Sequence, residues 1–186
     1  MITEAEVSAL VALARSRGAQ TAAIGSGRDP LAHESMRAIA EAWERAGGEM
    51  ARELTWPETA ASWLRQATRF AAAEADLWIM HGPPLGWAQM TRRLLWSTPW
   101  QPAHTLLTGA VSDRRTLDLV GRHNLPGISG VTRDGDTWQL GPDDHGGASR
   151  LAYHGVTRVH PFTAPDGCGL DSGRINITMR MTGLTD

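Results

Sequence analysis

Thr21-Ala22-Ala23-Ile24-Gly25-Ser26-Gly27-Arg28-Asp29-Pro30 is the stretch whose reading decides the fold. Residues 21–24 read as a short buried strand and residues 25–30 as a loop. The run 31–46 then carries Met36, Ile39, Ala40 and Trp43 on one helical face until Gly47-Gly48 stops it. That is one β-loop-α unit. Its outline recurs: residues 49–55 predict a strand, and Trp56-Pro57-Glu58 opens a helix running to about residue 75. Residues 76–80 predict a third strand, followed by Gly82-Pro83-Pro84, a helix over 85–97 and a fourth strand over 105–108. Upstream, Thr3-Glu4-Ala5-Glu6 reads as an N-cap opening a helix in which Val7, Leu10, Val11 and Ala14 share a face until Gly18. Strands alternating with helices imply an α/β lobe, a mostly parallel sheet with helices on both faces, over about residues 1–140.

Beyond a short helix at 114–120, residues 127–132 and 137–140 predict short strands around an Asp134-Gly135 turn. Gly141-Pro142-Asp143-Asp144-His145-Gly146-Gly147 is dense in turn formers, and the chain changes character there. The expected division is a three-layer lobe over 1–143 and a short all-β tail over 144–186. In the tail, Arg174, Asn176, Thr178 and Arg180 line one face of a strand whose other face holds Ile175, Ile177 and Met179. Paired guanidinium groups beside an amide suit a small dicarboxylate, and the same alternation describes an ordinary half-exposed strand.

The 186 residues suffice for one good core, and a net charge of -2 with a pI near 6.4 gives no general electrostatic drive toward nucleic acid. All eighteen basic residues are Arg, which reads as a coding bias; eight Trp against one Tyr and two Phe read as packing residues. Cys168 stands alone and cannot form an internal disulfide. The acidic start, without a basic run or long apolar stretch, predicts a cytoplasmic chain with no membrane span.

Ligands of open α/β sheets sit beyond the carboxyl ends of the strands, so Ser26, Arg28, Asp29, His81, Gly82 and Trp87 are candidates by position. Gly25-Ser26-Gly27 can cradle an anion through exposed N–H groups and a following helix dipole, or form a plain tight turn. It is neither G-x-G-x-x-G nor a Walker loop, since the chain lacks Lys.

Gly147-Ala148-Ser149-Arg150-Leu151-Ala152-Tyr153-His154-Gly155-Val156, the Arg-x-Asn-x-Thr-x-Arg strand and Thr182-Gly183 resemble the C-terminal end of the AlkB family of iron(II)/2-oxoglutarate dioxygenases. The resemblance covers about residues 146–186. It implies a jelly-roll ending, His154 as an iron ligand, and Arg174, Asn176 and Arg180 as the 2-oxoglutarate clamp. It also implies a DNA-repair oxidoreductase that dealkylates nucleic-acid bases, with alkylated nucleic acid as partner. Such a site needs a further His-x-Asp pair. None of His33, His81, His104, His123, His145, His154 and His160 is followed two residues later by a carboxylate. An active dioxygenase site would therefore be incomplete in this chain alone, and a second chain would have to supply missing strands.

Residues 24–30, the Trp56-Pro57 step, residues 75–79 and residues 127–132 resemble, more loosely, one lobe of the type I periplasmic solute-binding proteins of the branched-chain amino acid receptor group. That resemblance implies a non-catalytic lobe binding small, amino acid-like molecules. A flavodoxin-like domain is a rival fold, because residues 75–83 with Gly86-Trp87 resemble its second flavin loop; the helix before the first strand ranks it lower. A truncated chain, or fused gene fragments without a function of the whole, is a further alternative.

Overall fold

The computed structural model describes residues 1–141 and the backbone of Ala152–Tyr153. Its centre is β1 (Thr21–Gly27), six of whose seven residues are buried. The sheet is completed by β2 (Glu49–Trp56), β3 (Leu77–His81), β4 (Thr105–Leu107), β5 (Ser129–Val131), β6 (Thr137–Gln139) and β7 (Ala152–Tyr153). Their order is β2-β1-β3-β4-β5-β6-β7, with the first five parallel and the last two pairings antiparallel.

Alternation along the strands splits the core into two layers. Ala22 and Ile24 of β1, Leu77 and Ile79 of β3 and Leu106 of β4 face Leu10 and Ala14 of α1 (Glu4–Ser16) and Met36, Ile39 and Trp43 of α2 (Pro30–Arg45). Ala23, Met80 and Leu107 face the other way, against Ala67 and Phe70 of α3 (Leu64–Ala71), Trp87 and Leu94 of α4 (Pro84–Ser97) and Leu117 of α5 (Arg114–Asp118). A parallel sheet buried on both faces needs apolar residues at both parities, and β1 and β3 supply them. Thr3 caps α1 in a reciprocal box with Glu6, and Asp29 caps α2 by accepting the Ala32 N–H at 2.9 Å.

Two local readings are corrected. The helix expected from residue 56 to about 75 is confined to Leu64–Ala71. Pro57 holds Trp56 extended as the last residue of β2, and the intervening loop is tied by the Trp63 indole N–H donating to the Pro57 carbonyl at 2.8 Å. Gly25-Ser26-Gly27, read as a loop, is the carboxyl half of β1. Gly25 is required there by packing: a Cβ would lie 2.6 Å from the Trp56 ring and 2.9 Å from that of Phe70. Those two rings meet edge-to-face with centroids 6.4 Å apart.

Trp43, Trp56, Trp87, Trp100 and Trp138 are all buried in these layers, whereas Trp96 is exposed. No helix among the described residues is long and apolar enough to cross a membrane. The expected jelly-roll ending, with His154, Arg174, Asn176 and Arg180, lies outside the described residues.

Gly25→Ala is expected to destabilise the fold by about 1–3 kcal/mol, because the added methyl displaces the Trp56–Phe70 pair. Urea unfolding of the two proteins measures it, and equal midpoints would contradict this packing.

Candidate functional site

In the order β2-β1-β3-β4-β5 the chain leaves the sheet in opposite directions from β1 and β3, so a crevice opens where their carboxyl ends part. The two turns there approach at backbone distance. Gly82 has φ +140°, and a Cβ on it would sit 2.8 Å from the Gly27 nitrogen. The resulting cleft, about 260 Å³, is walled by Glu6, Asp29, His81, Pro83, Ala110 and Arg133 among others.

His81 ends β3 and is 7% exposed. Its Nδ1 lies 2.8 Å from the Thr108 hydroxyl, and its Nε2 has no partner among the described residues. Burial holds the imidazole down at about 4, against the pull of nearby Asp29, so the ring is neutral near pH 7. Glu6 is buried beneath the cleft; its carboxylate accepts the Gly109 N–H at 2.6 Å. Burial raises the Glu6 carboxyl above its ordinary range, opposed by the Gly109 and Thr3 N–H groups and by the Arg133 charge. Behind Pro83, Glu58 reaches α4 and accepts the Gly86 N–H at 3.1 Å, serving as a cap from 28 residues away. Burial, and then the Asp29 charge, raise its carboxyl, and Gly86 leaves it room: a Cβ there would lie 2.3 Å from a Glu58 oxygen.

Asp29 and His81 thus come together with Glu6 and Arg133. Ser26 is fully buried, its hydroxyl 3.0 Å from the Gly27 carbonyl, and Trp87 of α4 is fully buried in the core between that helix and the sheet. Neither lines the cleft. Arg28 is exposed and lines a different one, while Gly82 forms part of the cleft wall. Glu6 and Arg133 were not legible as site residues: Glu6 reads as half of a capping box, and its Gly109 partner is 103 residues away. Thr108, one residue past β4, was within reach of the carboxyl-end rule.

A larger recess of about 920 Å³ lies at the opposite, amino-terminal edge of the sheet. Its charged groups are already engaged. Arg17 donates to the Ala103 carbonyl and the Ser129 hydroxyl, and Asp76 accepts from the Gln20 and Thr21 backbone and the Thr21 hydroxyl. The crevice at the carboxyl edge is therefore the better candidate, although it is smaller.

The described residues share the fold of one lobe of the periplasmic solute-binding proteins. Three solved structures illustrate it. The first is an ABC transporter substrate-binding protein from Sphaerobacter thermophilus, 23% identical with TM-score 0.52 over 64% of this chain and 33% of its own. The second is a branched-chain amino acid ABC transporter periplasmic ligand-binding protein from Burkholderia xenovorans, 13% identical with TM-score 0.57 over 69% and 34%. The third is an ABC transporter solute-binding protein from Rhodopseudomonas palustris in complex with p-hydroxybenzoic acid, 18% identical with TM-score 0.57 over 67% and 34%. The chain spans about a third of the length of these proteins, and at such identities the likeness is one of fold. No family model matches the sequence, and no curated protein matches it.

The expected AlkB-like dioxygenase and DNA-repair activity is overturned by these comparisons: the structural matches are to solute-binding proteins and no family model places the tail with the dioxygenases. Alternating polar and apolar residues over Arg174 to Arg180 are common to half-exposed strands of every family, which is why the pattern misled. Among the described residues no group of three or more His, Cys, Asp and Glu is placed to hold a metal.

His81 has its folded pKa depressed, so the stability it contributes is present above 6.5 and lost as pH falls toward about 4. The full loss is roughly 3 kcal/mol, at about 1.4 kcal/mol per unit. Glu6 and Glu58, raised, act in the opposite sense, favouring the fold most below 4.5 and losing that as pH rises. His81→Gln removes only the first component. Denaturant unfolding of both proteins between pH 7 and 4 should therefore show curves that diverge below 6.5, and parallel curves would exclude a buried neutral imidazole.

Proposed function

We propose that this chain is a non-catalytic α/β lobe that binds a small, amino acid-like molecule in the cleft beyond β1, β3 and β4. The observation that carries the reading is the meeting of Asp29 and Arg133 in one cleft at the point where the chain reverses across the sheet. A guanidinium suits a ligand carboxylate, an aspartate suits an ammonium, and the neutral His81 edge supplies a hydrogen bond without a competing charge. At about 260 Å³ the cleft is below the range of about 300–1,000 Å³ typical of drug-sized ligands. Branched-chain amino acids, for which one of the similar proteins is named, and p-hydroxybenzoic acid, held in complex by another, are of suitably small size and share a carboxylate.

Leu31 and Leu85, at the amino ends of α2 and α4, are 56% and 69% exposed at this edge of the sheet. They form an apolar rim for whatever closes the cleft, and the similar structures, of whose length the match spans about a third, have the additional chain to provide such a closure.

A thermal-shift screen of the chain against free amino acids and small carboxylates, including 4-hydroxybenzoate, tests the reading. A ligand at about 100 times its Kd should stabilise the fold by about 2.7 kcal/mol. Arg133→Ala is expected to abolish the response to all carboxylates, and Asp29→Asn, which can still cap α2, the response to those bearing an ammonium. No shift with any of them would rule out this function.

A further inference from the structure

A second cleft, of about 280 Å³, lies between the outer strand β2 and α3, and the amino acid-like ligand leaves it unused. Arg28, Arg52, Arg65 and Arg69 converge on it, with Gln66 beside them and Glu53 as its one acidic wall residue. Four guanidinium groups less one carboxylate leave a formal charge of +3.

The sequence places each arginine by simple geometry. Arg52 pairs in register with Ala23, and Leu54 with Gly25, so both side chains point to the α3 side of the sheet, where Leu54 packs on the core. Arg65 and Arg69 are four residues apart on α3 and share its face, and Arg28 arrives from the end of β1.

None of the four arginines has an ion pair or hydrogen bond among the described residues; the ion pairs there are Arg37–Glu41, Arg114–Asp118 and Arg122–Asp118. Arg52 Nε and Gln66 Oε1 are shut off from solvent without partners. Like charges one helical turn apart repel, and a buried unpaired donor is unfavourable. Charged side chains on an edge strand guard against strand addition, which accounts for Arg52 and Glu53 on β2. It does not account for Arg28, Arg65 and Arg69 turning toward the same space.

We infer that this cleft binds a compact, multiply charged oxyanion, a phosphate monoester or diphosphate. Several guanidinium forks around one centre match tetrahedral oxyanions, each able to donate two parallel hydrogen bonds. With its amide turned over, Gln66 directs N–H donors at the same oxygens. The site is separate from the cleft of Asp29 and His81 and does not depend on what that cleft binds.

Calorimetric titration of the full chain with sodium pyrophosphate, against sodium chloride at matched ionic strength, tests the inference. Saturable binding of one pyrophosphate per chain is expected. It should weaken about tenfold in Arg65→Gln and again in Arg69→Gln, each losing one charge-assisted contact. Both residues are exposed on α3, and relief of their repulsion predicts anion-free melting temperatures at or above that of the parent. A merely structural role would lower them instead. Arg65→Gln should leave the amino acid response of the other cleft unchanged, so the two readings stand or fall separately. Absence of saturable pyrophosphate binding, unchanged affinity in both variants, or arginine-dependent binding of a single-stranded oligonucleotide with none of pyrophosphate would each overturn the inference.

Discussion

Everything in this molecule hangs on β1 being buried from both sides and at both edges. Its neighbours β2 and β3 take its backbone hydrogen bonds, and helices cover both of its faces. Such a strand has no room for bulk wherever a large side chain crosses it. Hence Ala22, Ala23 and Gly25 sit beneath Trp43, Trp56 and Phe70, and the aromatic volume comes from helices and edges. The five buried tryptophans are intelligible on these terms: large rings fill the space that small central residues leave.

The same constraint creates the cleft. A central strand with chain leaving it in both directions forces the β1 and β3 turns apart above the sheet, while Gly27 and Gly82 keep their bases in backbone contact. Polar groups gather there because three strand ends and two helix starts converge on one spot. His81 remains neutral because the walls dehydrate it, and Asp29 is held in place by its task as the α2 cap. The position of the candidate site is thus a consequence of topology, and its polar lining a consequence of which residues the turns happen to carry.

Legibility in the sequence followed the range of the interactions. The Thr3 N-cap of α1, the Met36–Ile39–Trp43 face of α2 and the strand-helix alternation are set by neighbours within a turn or two, and all appear where the pattern put them. The long helix expected after Trp56 failed because apolar residues at 63, 67 and 70 fit a helical period whether or not the preceding loop does. Pro57 and the Trp63–Pro57 hydrogen bond hold that loop instead. The dioxygenase function drawn from the tail failed differently. A short match to a distant family carried a functional conclusion that the comparisons of the remaining chain do not support.

Sequence by itself determined the class of this protein, an α/β lobe with helices on both faces, because hydrophobic periodicity and turn residues are local signals. It also nominated Asp29 and His81 through the rule that strand ends carry ligands. Only the tertiary structure decided that Glu6 and Arg133 join them, that Ser26 and Trp87 are buried instead, and that Arg28 belongs with three other arginines across the edge of the sheet. The physical reason is the same in each case. These residues are brought together by strand order and side-chain parity, and both are fixed by how the sheet assembles, over separations that no local pattern encodes.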